Sequence, residues 1–143
     1  MTAHSELVAR LEGASEGSRE LDVLIGSVNG YRNRFTGRLL SEALADPEMH
    51  DEAMQWEGVP YCTTSLDAAL ALAERVLPGW AVTMVHRPAI QTITATIFPE
   101  GDDSYGAVDD RAGRAYAKTL PLALCASILR ATATQPSDDG EKT

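Results

Sequence analysis

The sequence predicts a mixed α/β (α+β) fold, a layered sandwich of about three helices covering one or both faces of a small, mainly antiparallel sheet. Three observations point there. Thr64-Ser65-Leu66-Asp67-Ala68-Ala69-Leu70 and Lys118-Thr119-Leu120-Pro121-Leu122-Ala123-Leu124 each set a hydroxyl residue before an apolar run of helical period. Between them lie two stretches with the alternation of strands. Ahead of them, Leu7, Val8 and Leu11, then Leu21, Leu24, Ile25 and Val28, recur at helical spacing.

The elements follow in order. Ser5 is a candidate cap for the first helix, which either runs from about residue 5 to 28 or breaks near Ser15–Gly17. Asn29-Gly30 ends it. Residues 31–60 read as a long, irregular insertion bracketing the acidic stretch between Pro47 and Pro60, apart from a short helical turn around Leu39–Leu44. Ser65 caps the next helix, with Asp67 in its first turn and Leu66, Ala69, Leu70, Ala73 and Leu77 as one stripe. Pro78-Gly79 stops it. Trp80 to His86 and Gln91 to Phe98 alternate as two strands of an antiparallel hairpin. Short strands are expected at 105–108 and 114–118. Thr119 caps the last helix, where Pro121 sits in the first turn without loss of a helical hydrogen bond. A single domain over 1–133 and a disordered tail over 134–143 complete the expectation.

At 143 residues and 44% apolar, the chain is long enough to bury a real core. Its net charge of −9 argues against general nucleic-acid binding, since a phosphate backbone needs a basic face. A small anion needs only two or three well-placed donors. Cys62 and Cys125 have neither metal spacing nor a CxxC pairing and read as reduced thiols. No apolar run approaches the ~18–20 residues of a membrane span, and the N-terminus lacks a basic-then-apolar leader. A cytoplasmic location with no membrane partner is therefore expected.

The segments Tyr61 to Leu70, Pro78-Gly79-Trp80 and Thr119 to Ala126, with Glu16 to Asp22 near the N-terminus, resemble the phage ABA-sandwich domain family. The similarity spans about residues 5–30 and 60–133. It implies a three-layer α-β-α arrangement in a phage-encoded product acting in the host cytosol, and brings no reaction or catalytic residues with it. The polar residues within the matching segments, among them Arg19, Asp22, Thr64, Asp67 and Lys118, are expected to cap helices or face solvent.

No catalytic motif stands out. Glu48-Met49-His50-Asp51 is a poor metal set because adjacent loop residues rarely converge on one ion. Neither metal nor cofactor is expected. The more informative group is Arg111, Arg114, Tyr116, Lys118 and Thr119. If 114–118 is extended, Arg114, Tyr116 and Lys118 share a face that leads to a helix N-terminus, a setting for phosphate binding and base stacking. The alternative is an edge strand kept soluble by charge. Arg32, Arg34 and Arg38, interleaved with Tyr31 and Phe35, form a second basic cluster, and His86-Arg87 a strand end beside a groove. Together these predict a non-enzymatic, homo-oligomeric binding protein for a small anionic or nucleotide ligand. Its concrete form is an anti-defence sponge that sequesters a nucleotide-derived host immune signal. The alternatives are a protein-interaction module that inhibits a host protein and, less favoured, a small hydrolase.

Overall fold

Two close approaches organise the chain, and each passes over a glycine. A Cβ on Gly17 would lie 2.1 Å from the carbonyl oxygen of Thr63, and one on Gly113 would lie 2.1 Å from that of Ser127. Any larger residue would push these backbones apart. In the computed structural model, which describes residues 3–33, 36–56, 58–99 and 112–134, the first contact joins the N-terminal helices to the middle of the chain. The second seats the sheet on the last helix.

The N-terminal region forms two helices, α1 (Ala3–Gly13) and α2 (Arg19–Val28). Ser18 caps α2 by accepting from the Leu21 N–H at 3.1 Å. The region after Tyr31 carries two short helices, α3 (Leu40–Ala45) and α4 (His50–Ala53). It is also part of the core: Tyr31, Leu40, Ala43, Ala53, Trp56 and Val59 are all buried. Short hydrophobic patterns of two or three residues give no readable period, which is why the sequence shows this stretch only as an insertion.

Helix α5 (Leu66–Val76) begins as expected, with Ser65 Oγ accepting from the Ala68 N–H at 3.2 Å. Its buried face is rotated from the expected stripe. Ala69, Leu72 and Ala73 point inward, Leu72 being 2% exposed, whereas Leu70 is 39% exposed. The spacing 69, 72, 73 is as helical as 66, 69, 70, 73, and only the neighbouring elements choose between them.

Strands β1 (Ala81–Arg87), β2 (Thr92–Phe98) and β3 (Gly113–Ala117) form an antiparallel sheet of order β1-β2-β3. A single 3₁₀ turn, Pro88–Ile90, joins β1 to β2. The register pairs Val82 with Ile97, Met84 with Ala95 and Ala95 with Ala115, so these side chains share one face. That face packs on α6 (Leu120–Thr134). Thr119 caps α6, its Oγ1 accepting from the Leu122 N–H at 3.3 Å. Every residue of α6 from Leu122 to Leu129 is buried, because β2 and β3 cover one side and α1 and α5 pack around the rest. Ala95, Ala115 and Ala117 on the strands are fully or almost fully buried, and Gly113 approaches Ser127 and Ala131 of the helix, so small residues allow the close approach.

The fold is thus α+β. Its described layers run sheet, α6, outer helices, which differs from the α-β-α order implied by the resemblance. The physical reason lies in the side chains. An all-round apolar helix must be central, and the second face of the sheet bears mostly polar residues, Thr83, Thr92, Thr94, Arg87, Arg114 and Tyr116, with Thr96 and Phe98 buried toward one end.

One carboxylate ties the helical half together. Asp22 is 1% exposed, and its Oδ1 accepts from the Thr63 N–H at 2.8 Å and from the Thr63 hydroxyl at 2.6 Å. The Arg19 guanidinium lies 3.5 Å from Oδ2. The expectation of a capping or solvated Asp22 is therefore corrected: this is a buried crosslink between α2 and the turn before α5. Replacing Asp22 with Ala leaves the Thr63 donors unpaired and is expected to cost about 2–4 kcal/mol. By comparison, Leu72→Ala should cost about 2–5 kcal/mol and Leu70→Ala under about 1 kcal/mol. Urea unfolding of the three variants checks the order.

Candidate functional site

Strand alternation builds the site. With Ala115 and Ala117 turned to α6, Arg114 and Tyr116 of β3 point to the open face, and Lys118 continues the alternation one residue beyond the strand. On β1 the same face receives Thr83, Val85 and Arg87. The register then sets cross-strand rows. Thr83, Thr96 and Arg114 form one row, and Val85, Thr94 and Tyr116 the next. Arg87 pairs with Thr92, whose neighbour Ile93 pairs with Ala117, where the ladder ends, and Lys118 follows exposed at a bend.

The cations of this face differ from the others. Among the described residues, Arg10, Arg19, Arg38 and Arg130 each lie within 4.0 Å of a carboxylate oxygen. Arg75 stacks 3.9 Å from the centre of the Tyr31 ring, and Arg32 donates to the Gly37 carbonyl at 2.6 Å. Arg87, Arg114 and Lys118 have no carboxylate partner among the described residues. Arg114 makes one neutral contact, Nε donating to Thr96 Oγ1 at 3.3 Å, which lays its side chain along the sheet. Tyr116 stands between the basic rows and is 52% exposed.

Beside this face, at the free edge of β3, lies a cleft of about 560 Å³. Arg114 sits at the corner between face and cleft, and His4, Ser5, Glu12 and Arg130 also line it. Glu12 holds the cleft wall in two ways. Both its carboxylate oxygens accept from Arg130 Nη2 at 3.0 Å, and Oε2 also accepts from the Tyr116 N–H at 3.4 Å. Glu12 and Arg130 escape a reading of the sequence because 118 positions separate them and neither belongs to a local motif.

The remaining candidates are distributed as follows. Thr119 lies at the start of α6, beside Lys118, with its hydroxyl used as the cap. His86 is exposed but falls on the opposite face of β1 from Arg87. Arg32 and Arg38 lie in a separate loop. Arg38 there reaches Asp46 Oδ2 at 3.4 Å and Met49 Sδ at 2.9 Å, so both arginines serve the local structure. Arg34 and Arg111 lie outside the described residues, as does the strand expected at 105–108.

Other titratable groups are structural. Cys62 and Cys125 are free and buried. The Cys125 thiol donates to the Cys62 carbonyl at 3.3 Å, and the Cys62 thiol first, then burial, hold it well above its usual pKa, so it is a poor nucleophile. Among the described residues no group of three or more His, Cys, Asp or Glu is placed to hold a metal ion. Nor is any described helix long and apolar enough to cross a membrane.

Protein-family models, curated proteins and solved structures contain no match to this chain. The likeness to the phage family therefore rests on the motifs quoted above and carries no argument about the site.

Burial lowers the pKa of His4 in the cleft wall. The unfolded chain then binds a proton at higher pH than the folded one. Stability is full above the unfolded value of about 6.5 and declines as pH falls through and below it. An NMR titration of the His4 ring should give a midpoint under that value, with α1 amide protection factors, corrected for the intrinsic exchange rate, lower at pH 5.5 than at pH 7.5.

Proposed function

We propose that this protein binds a small phosphorylated ligand, a nucleotide in its most specific form, on the open face of the sheet without transforming it. The observation that carries this reading is the placement of charge. In a chain of net charge −9, Arg87 and Arg114 share one face around an exposed tyrosine with Lys118 exposed just past the strand, and none of the three has a carboxylate or aromatic-ring partner among the described residues. Phosphate oxygens would take the charge-assisted hydrogen bonds of the arginines and lysine. The Tyr116 ring offers a stacking surface for a base, and such contacts contribute about 1–3 kcal/mol per base. Thr94 and Thr92 supply hydroxyls between the rows. The α6 N-terminus beside Lys118 adds a favourable dipole.

Three cations suit one or two phosphates, whereas a polynucleotide would meet the acidic remainder of the surface. Sequestration of a nucleotide-derived signal in a host cell, the sponge role, is the biological form we favour. It needs affinity and no catalysis.

The exposed Val85, which a nucleotide does not require, favours a second reading as a module that inhibits a host protein. Mass spectrometry of material co-purified from bacterial lysate separates the two: a stoichiometric small molecule supports the first, a defined protein the second.

Isothermal titration against mononucleotides, cyclic dinucleotides and cyclic ADP-ribose isomers is expected to reveal at least one ligand. Arg114→Ala and Tyr116→Ala should each weaken it roughly tenfold or more. His86→Ala and Arg38→Ala, on other surfaces, should leave it unchanged. Binding should weaken with rising salt, but far less steeply than for polynucleotide binders, which release many condensed counterions. Absence of heat with every compound at tens of micromolar protein would overturn the reading.

A further inference from the structure

The two edges of the sheet are treated differently. At β3 the outward Tyr116 N–H is taken by Glu12, and α1 packs alongside. At β1 no strand pairs with the outer side among the described residues, although β1 is as long as the central strand, at 7 residues. Soluble proteins normally blunt such an edge with an internal proline, a bulge or inward charges. Residues 81–86 carry neither proline nor a fixed charge, the ladder to β2 is unbroken, and the one cation, Arg87, stands at the end. Val85 is 47% exposed and Ile90, in the adjoining turn, 64% exposed.

Charge selects the occupant. The chain holds 21 acidic residues, yet between Glu74 and Glu100 there is none. This hairpin is therefore a surface on which two copies can meet without opposing carboxylates. We infer that β1 pairs antiparallel with β1 of a second copy, about a two-fold axis at Met84, to give a continuous six-stranded sheet. That register is self-consistent. Met84 meets its own counterpart, Val82 meets the partner's His86, Thr83 meets the partner's Val85 and Ala81 meets the partner's Arg87, so no like charges lie opposite each other. The two open faces become one, and each protomer keeps a complete set of Arg87, Arg114, Tyr116 and Lys118. The interface is independent of the ligand reading above.

Sedimentation equilibrium of the full chain tests it. The wild type should run at twice the 15.3 kDa of one chain. Thr83→Lys with Val85→Lys places cations opposite each other across the axis in this register, on the exposed face of the strand, and should give monomer. Thr83→Lys with Val85→Glu makes the same pairs opposite in sign and should restore the dimer. Circular dichroism confirms that the variants are folded, and these substitutions leave the α6-facing side chains untouched. A monomeric wild type, or a double-lysine variant that stays dimeric, would overturn the proposal. A wild type that is monomeric alone yet takes up a stoichiometric extended peptide along β1 would overturn it in favour of a foreign strand.

Discussion

The buried carboxylate of Asp22 is the constraint from which the helical half of the molecule follows. By accepting both the backbone and hydroxyl protons of Thr63, it holds the turn 61–64 against α2 across 41 positions of sequence. The Ser18 N–H donates to Thr63 Oγ1 at 3.0 Å, so one threonine hydroxyl serves as donor to the carboxylate and acceptor from the start of α2. This turn delivers Ser65 to cap α5 and presents the Cys62 carbonyl to the thiol of Cys125 on α6. A charge so far from water is tolerable only because its acceptor sites are occupied and Arg19 lies alongside. Arg19 in turn donates to the Trp56 carbonyl at 2.7 Å and covers the Tyr61 ring, which draws the segment between α4 and α5 onto the same hub.

On the other side of α6 the organising factor is size. Alanine and glycine at facing positions of β2, β3 and α6 let the helix backbone approach the sheet until a Cβ on Gly113 would collide with it. Most apolar demand is then satisfied on the face toward α6, with Phe98 buried on the other, and strand alternation delivers the polar residues to that opposite face. The exposed basic face is thus a by-product of how the core is built as much as a feature in its own right.

Local signals in the chain proved sufficient for much of this. Ser65 and Thr119 announce their helices, because a hydroxyl before an apolar run has few competing uses. The β1–β2 hairpin is written in the alternation of 80–86 and 91–98. Grouping Arg114, Tyr116 and Lys118 on one face needs only period two. The rotated face of α5 and the core role of residues 31–60 were not readable, since they depend on which neighbours arrive. The two expected basic clusters look alike in sequence, yet Arg32 and Arg38 are spent on their own loop while Arg114 and Lys118 meet no carboxylate among the described residues. No sequence spacing could tell them apart.

The sequence by itself determined the α+β class, the helix starts, the strand faces and a charge balance unsuited to long nucleic acids. These are properties of short windows and of composition, governed by backbone sterics, capping and periodicity. Tertiary structure alone decided that α6 is the central layer and that Asp22 is buried. It also decided that Glu12 and Arg130 meet at a cleft beside Arg114. Each of these rests on contacts between residues far apart in the chain, where the energy comes from which surfaces are excluded from water together.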